Sequence, residues 1–327
     1  MSLKLDSVYK SFGQKTVVDY LDLTIPRGEI FGLLGPNGAG KTTTMRMILD
    51  IIRPDTGSIT WLGHKIGLDS ANSFGYLPEE RGLYPKMVVA QQMKFFSRLR
   101  GLSNSEAEKH ISYWVERFEL GDLVQKKASE LSKGNQQKVQ FILAIVHNPD
   151  LLILDEPFSG LDPLNVELLK SALGEFAQQG RTILFSSHRM EHVEELCSSL
   201  CIIDQGKIIA QGGLTDVKSS TGRQIIRLSL IGNLDFLRDL PINPAKIRFN
   251  HFKASAASQA INHAEFDLPN GLNPQSILRL ALERGDVIRF ELGVPSLNDV
   301  FISLVGGDRW DETPSLNGPR IPRAGAQ

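Results

Sequence analysis

Cysteine is nearly missing from this 327-residue chain, with only Cys197 and Cys201 present. Their spacing is neither that of a redox pair nor that of a zinc half-site. Disulfide scaffolds and zinc modules are thereby excluded, and scarce thiols suit a reducing compartment. We read the pair as two small hydrophobes near a helix–strand junction. Long apolar runs are also missing: none approaches the roughly 18 residues that cross a bilayer. The opening residues MSLKLDSVYK lack the apolar centre of a secretory leader. An excess of either charge is missing too, because 36 basic and 37 acidic residues leave a net charge of -1. That balance lacks the basic excess of a nucleic-acid binder, so no nucleic-acid partner is expected. Neither an internal repeat nor a long heptad run is visible.

What is present is the balance of a globular protein, 41% hydrophobic and 22% charged, with enough length for two domains. Residues 3–34 read as strands and turns, with Leu21, Leu23 and Ile25 alternating with polar neighbours. Ile30 to Leu34, Leu151 to Leu154 and Thr182 to Phe185 are short apolar runs, the pattern of strands buried on both faces. Residues 88–147 carry helical periodicity, for example Ala107, Ile111, Trp114, Val115 and Phe118. A helical pattern also spans Val166 to Phe176. Strands alternating with helices predict a mainly parallel sheet covered on both sides. Beyond a linker-like stretch at 218–222, we expect strand 224–231, helix 234–239, strands 246–252 and 263–268, helix 274–284, strand 286–292 and helix 296–304. That βαββαβ order predicts a ferredoxin-like module. The domains are thus expected at 1–217 and 218–305, with a disordered tail at 306–327.

Gly35-Pro36-Asn37-Gly38-Ala39-Gly40-Lys41-Thr42 matches the pattern G-x-x-x-x-G-K-[ST]. Glycines let the backbone curl so that successive N–H groups face a phosphate. The helix N-terminus behind the loop adds partial positive charge. Lys41 can reach the β- and γ-phosphates of ATP, and the Thr42 hydroxyl can serve Mg²⁺. Asn37, Gly38, Gly40, Lys41, Thr42 and Thr43 are the candidate phosphate contacts. A second signal is Leu151-Leu152-Ile153-Leu154-Asp155-Glu156-Pro157, a buried strand that delivers two acids at its carboxyl end. Asp155 suits the Mg²⁺ shell, and Glu156 suits a base that polarises the attacking water.

With these motifs in order, the chain resembles the nucleotide-binding subunit of an ABC transporter over residues 3 to about 217. Leu131-Ser132-Lys133-Gly134-Asn135-Gln136-Gln137 resembles the family's signature, departing from the usual Ser-Gly-Gly-Gln at Lys133 and Asn135. Ser159-Gly160-Leu161-Asp162 resembles the D-loop, and His188 the switch histidine that contacts the γ-phosphate. Phe12 matches the aromatic that stacks on adenine. The resemblance implies a P-loop ATPase core with an antiparallel β subdomain and a helical subdomain, and ATP and Mg²⁺ as cofactors. It implies a homodimer, or a pair with a related ATPase subunit, in which Ser132, Gly134 and Gln136 contact ATP bound to the other chain. Integral membrane permease subunits would be separate chains, leaving this one peripheral on the cytoplasmic face of the cell membrane. Glu79 stands where the family usually has Gln, and its carboxylate can approach Mg²⁺ or its water.

Glu79, the signature variant, Gly82-Leu83-Tyr84-Pro85 and Pro295-Ser296-Leu297-Asn298-Asp299-Val300-Phe301 resemble the ABC-2-type exporter branch, whose ATPases carry an extra C-terminal domain. Leu83 and Tyr84 either receive the coupling helices of a membrane subunit or pack the helical subdomain. Two further readings stay open. One is a soluble ABC ATPase acting on ribosomes or DNA, though such chains usually carry two cassettes or a long coiled coil. The other is a module that holds ATP without turnover, disfavoured by Lys41, Asp155, Glu156 and His188. The C-terminal module offers no catalytic constellation, since His251 and His263 lack ligand spacing. A dimer contact or a regulatory role is expected there.

Overall fold

The structure is a computed structural model that describes residues 3–67, 70, 73–80, 82–242, 247–252, 261–269 and 271–306. The chain forms two compact units that divide between Ser220 and Thr221. In the first, β1 (Leu3–Phe12) and β2 (Lys15–Ile25) make a hairpin. Leu21, Leu23 and Ile25 are buried and the residues between them exposed, as a strand with one wet face requires. β3 (Ile30–Leu34) leaves this layer as an unbroken apolar run and feeds α1 (Lys41–Ile48). β4 (Thr56–Trp61) and β5 (His64–Lys65) return to the first layer, whose strand order is β2-β1-β4-β5.

β6 (Phe74–Leu77) opens the second layer. The expected helical stretch at 88–147 then becomes α2 (Val89–Leu99), α3 (Asn104–Arg117) and α4 (Lys133–Ile145). Gly101 and Gly121 interrupt it, each with a left-handed φ. Ser103 starts α3 with a reciprocal capping box: its Oγ accepts from the Glu106 amide at 3.3 Å, and Glu106 accepts from the Ser103 amide at 2.9 Å. β7 (Leu151–Asp155), α5 (Pro163–Gln178), β8 (Thr182–Ser186), α6 (Met190–Leu196), β9 (Ser199–Asp204), β10 (Lys207–Gly213) and α7 (Leu214–Ser219) complete the unit. The sheet order is β10-β9-β3-β8-β7-β6, parallel except for β10 against β9. β3, β7 and β8 are buried at every residue, which explains why they read as continuous apolar runs. Trp114 stacks on Phe176 at 5.8 Å, tying α3 to α5.

The second unit contains β11 (Ile225–Gly232), β12 (Arg248–Phe252), β13 (Ile261–Asp267), α8 (Pro274–Arg284), β14 (Gly285–Gly293) and α9 (Leu297–Val305). Its antiparallel sheet runs β12-β13-β11-β14, the ferredoxin-like order. Ile226, Leu228 and Leu230 pack with Phe266, Ile277 and Ala281 in its core. One expected element is corrected. The helix over 234–239 is a single 3₁₀ turn, Asp235–Asp239. The Asn233 side chain accepts from the Asp235 amide at 2.7 Å, an Asx turn that competes with a helix start, and Pro241 closes the other end. The expected tail falls, beyond Gly306, outside the described residues. Among the described residues no helix is long and apolar enough to cross a membrane.

Candidate active site

Three neighbouring strands aim their carboxyl ends at one place, where open α/β sheets hold their ligands. β3 delivers the glycine-rich loop, β7 delivers Asp155, and β8 delivers Ser186. The loop's curvature depends on its glycines. Gly35 has φ +157° and Gly40 has φ +109°. A Cβ on Gly35 would lie 2.3 Å from the Ile203 carbonyl oxygen, and one on Gly40 would lie 2.6 Å from that of Val17. Gly40→Ala is therefore expected to destabilise the protein by about 1–3 kcal/mol, read as a lower urea midpoint. An unchanged midpoint would show that the loop can relax around the methyl. The Lys41 ammonium donates to the Gly35 and Pro36 carbonyls at 2.7 and 3.1 Å, folding over its own loop. Burial pushes its pKa down, while the Glu156, Asp155 and Glu79 carboxylates push it back up.

The acids are held by hydroxyls. Asp155 is buried and accepts from Thr42 Oγ1 at 2.8 Å and from Ser186 Oγ at 2.5 Å. Strand register allows the second bond, because Asp155 and Ser186 are direct partners across β7 and β8. Ser186 Oγ also accepts from the Glu156 amide at 3.2 Å. Glu156 itself turns into the left-handed region at φ +52°, a costly conformation for a residue with a side chain. Its Oε2 lies 2.8 Å from His188 Nδ1. Burial pushes the Glu156 carboxyl pKa up, and the His188 hydrogen bond pulls it back.

A cavity of about 690 Å³ opens over these groups. It brings together Asn37, Gly38, Gly40, Lys41, Thr42, Thr43, Glu79, Asp155, Glu156 and His188, with Lys15 and Val17 added from β2. Those two were not legible as site residues; β2 contributes them by folding back beside the loop. Four expected site residues do not line the cavity. Phe12 is half exposed at the end of β1, directly across the hairpin from Lys15. Ser132 caps α4 by accepting from the Asn135 amide at 3.3 Å. Gly134 lies in the first turn of α4, its Cβ position 3.8 Å from the Gly160 carbonyl of the D-loop segment. The Gln136 amide donates to the Ala128 and Leu131 carbonyls at 2.9 and 3.2 Å, pinning the turn that precedes the helix. Cys197 and Cys201 are buried and burial pushes both thiols up, so neither is a nucleophile.

The donor set suits a hard cation. Among the described residues no three His, Cys, Asp or Glu side chains converge as a metal cage. Mg²⁺ needs only one or two protein oxygens beside phosphate and water, a number that the Thr42–Asp155 pair fits. Residues 18–159 match the ABC transporter family, and residues 212–305 match the C-terminal domain of the ATP-binding protein DrrA1-3-like family. An uncharacterised ABC transporter ATP-binding protein of Bacillus subtilis, YhaQ, is 48% identical over 93% of this chain and 98% of its own length. The chain belongs to the ABC transporter ATP-binding proteins. The Nod factor export ATP-binding protein I of Burkholderia lata is 32% identical to this ABC protein over 93% of its chain and 97% of the relative. The solved ATP-binding subunit of an ABC transporter is 30% identical, with a TM-score of 0.64 over 68% of this chain and 94% of that one. Membership makes the protein an ATPase.

Proposed function

We propose that this cavity binds ATP with Mg²⁺ and that hydrolysis there drives an exporter whose membrane-spanning subunits are separate chains. One observation carries the reading: Lys41, the Thr42–Asp155 pair and the Glu156–His188 pair all meet in the same cavity. The loop amides and Lys41 hold the phosphates. Thr42 and Asp155, with Glu79 in the same cavity, would hold the cation, which would supply charge neutralisation on the phosphate oxygens. Glu156 accepts a hydrogen bond from the attacking water, and His188 orients that carboxylate. The residues across the hairpin at Phe12 and Lys15 receive the base of the nucleotide. The Asp155 bond to Ser186 keeps one carboxylate oxygen occupied and leaves the other on the Thr42 side.

Ser132 and Gly134 lie outside the cavity, at the capped N-terminus of α4, which is an anion-binding feature in need of an anion. A second ATPase subunit, either another copy of this chain or a related one, would bring its nucleotide to that helix. The site is then completed by closure of two subunits, and the C-terminal domain at 221–305 serves as an added regulatory or dimer-contact module. Kinship with a relative named for Nod factor export favours export, on the cytoplasmic face of the cell membrane.

An apolar patch supports the membrane partner. Tyr84 stacks on Phe96 at 6.0 Å and Phe96 meets Phe95 edge-on at 5.3 Å, yet Tyr84, Phe95 and Leu99 remain 55%, 50% and 66% exposed. Exposed aromatic clusters of this kind mark interaction surfaces. The test is purification of the tagged chain from detergent-solubilised membranes, with ATP turnover measured on the eluate. A co-eluting integral membrane protein and turnover abolished by EDTA are expected. The triple change Tyr84→Ala, Phe95→Ala and Leu99→Ala should lose the membrane protein at least tenfold while the chain alone still hydrolyses ATP. Co-elution of ribosomes or DNA in place of a membrane protein would move the assignment to a soluble ABC ATPase.

A further inference from the structure

His192 is a buried titratable group of the first unit that the hydrolytic site leaves unused. It lies in the first turn of α6, four residues after His188, and is 8% exposed. Neither of its ring nitrogens has a hydrogen-bond partner. With no polar partner to hold it, the ring is kept in place by packing alone. Its ring centroid lies 4.5 Å from that of Phe158. Phe158 is buried, two residues past Glu156, and meets Phe185 edge-on at 6.0 Å.

The three rings lie beside the segments that carry the site residues. Phe185 immediately precedes Ser186, which bonds both Asp155 and the Glu156 amide. Phe158 lies inside the turn that Glu156 begins, closed by the Ser159 amide donating to the Glu156 carbonyl at 3.1 Å. His192 lies on the helix that follows the His188 loop. Phe158 therefore touches both the strand beside Asp155 and the helix behind His188. Glu156 needs such support, because its left-handed φ of +52° is not self-maintaining. Burial, with Lys170 and Arg189 nearby, keeps the His192 pKa below its usual value against the opposing pull of Glu195 and Glu191. The ring packs against Phe158.

We propose that His192 is a positioning residue for ATP hydrolysis: its ring wedges against Phe158 and fixes the Glu156 turn relative to His188. This rests on the reading of Glu156 and His188 as partners in hydrolysis. It assigns His192 no contact with nucleotide, so ATP binding is left intact when the wedge is removed.

The experiment is steady-state ATP turnover by the full chain, at a temperature where every variant is folded by circular dichroism. His192→Ala should lower kcat about tenfold to a hundredfold, with KM for ATP within about twofold. His192→Phe, which keeps a ring, should hold kcat near wild type, and His192→Gln, which keeps a polar group but no ring, should behave like Ala. Phe158→Ala should lose as much as His192→Ala, and the double variant no more than either single one, because the two act through one contact. Wild-type kcat in His192→Ala, rescue by Gln in place of Phe, or additive losses in the double variant would each overturn the proposal. If the Ala variant does not fold, the Phe and Gln pair carries the same decision. Glu156→Gln is assayed alongside. Wild-type turnover in that variant would remove the reading beneath, whereas an inactive Glu156→Gln beside a fully active His192→Ala removes only the wedge.

Discussion

Glu156→Gln is expected to lower ATP turnover by about 10²–10⁴-fold while ATP still binds. The amide is nearly the size of the carboxylate, so the left-handed turn and the contact with His188 can both persist. What is lost is an acceptor for the proton of the attacking water. The phosphate-holding groups are untouched: Lys41 and the Thr42–Asp155 pair depend on the loop and on Ser186, not on the Glu156 side chain. Binding without turnover should also hold two subunits closed, so a sized sample with ATP and Mg²⁺ should shift to dimer in the variant and not in wild type. Measuring turnover and elution volume on the same preparation separates the outcomes. Wild-type turnover would remove the base assignment, while lost turnover with lost ATP affinity would point to a collapsed site.

The part of this site that a linear reading finds is the part built from consecutive backbone. Gly35 to Thr42 must be contiguous because successive amides form the phosphate cradle, and Asp155 and Glu156 must follow an apolar strand to arrive at its carboxyl end. In the ferredoxin-like unit the order of strands and the later helices was legible, and the strand order in the sheet follows it. Residues that arrive by strand adjacency are hidden. Ser186 reaches Asp155 only because β7 and β8 pair in register, and Lys15 reaches the cavity only because β2 folds back. A signal for Ser186 did exist: it ends an apolar run built like the one that delivers Asp155. The helix expected at 234–239 shows the opposite error, where local chemistry at both ends prevails. Leu234, Phe236 and Leu237 do reach the core, but Asn233 and Pro241 leave room for one turn. His192 carried no sequence signal, since its meaning depends on Phe158, which is distant along the chain and adjacent only in the fold.

Mixing two inactive variants is expected to restore hydrolysis, and this is the sharpest test of a site shared between chains. Lys41→Ala removes the phosphate-loop cation but leaves the signature end of α4 intact. Ser132→Arg does the reverse, placing a bulky cation at the helix cap while sparing the loop. Each variant alone assembles two defective sites and should turn over at no more than about one per cent of the wild-type rate, because the lost electrostatic term is large. In a mixed dimer one site receives both defects, and the other combines the intact loop of one chain with the intact signature of its partner. Random pairing of equal amounts makes half of the dimers mixed, each with one sound site of two, so recovery should reach about a quarter of wild-type turnover per chain if one sound site is sufficient. Recovery should require subunit exchange and vanish when the variants are mixed at concentrations too low for dimers. A mixture no more active than its components would place all the hydrolytic groups in one chain, and Ser132 would then be only the cap of α4, as its bond to the Asn135 amide already requires.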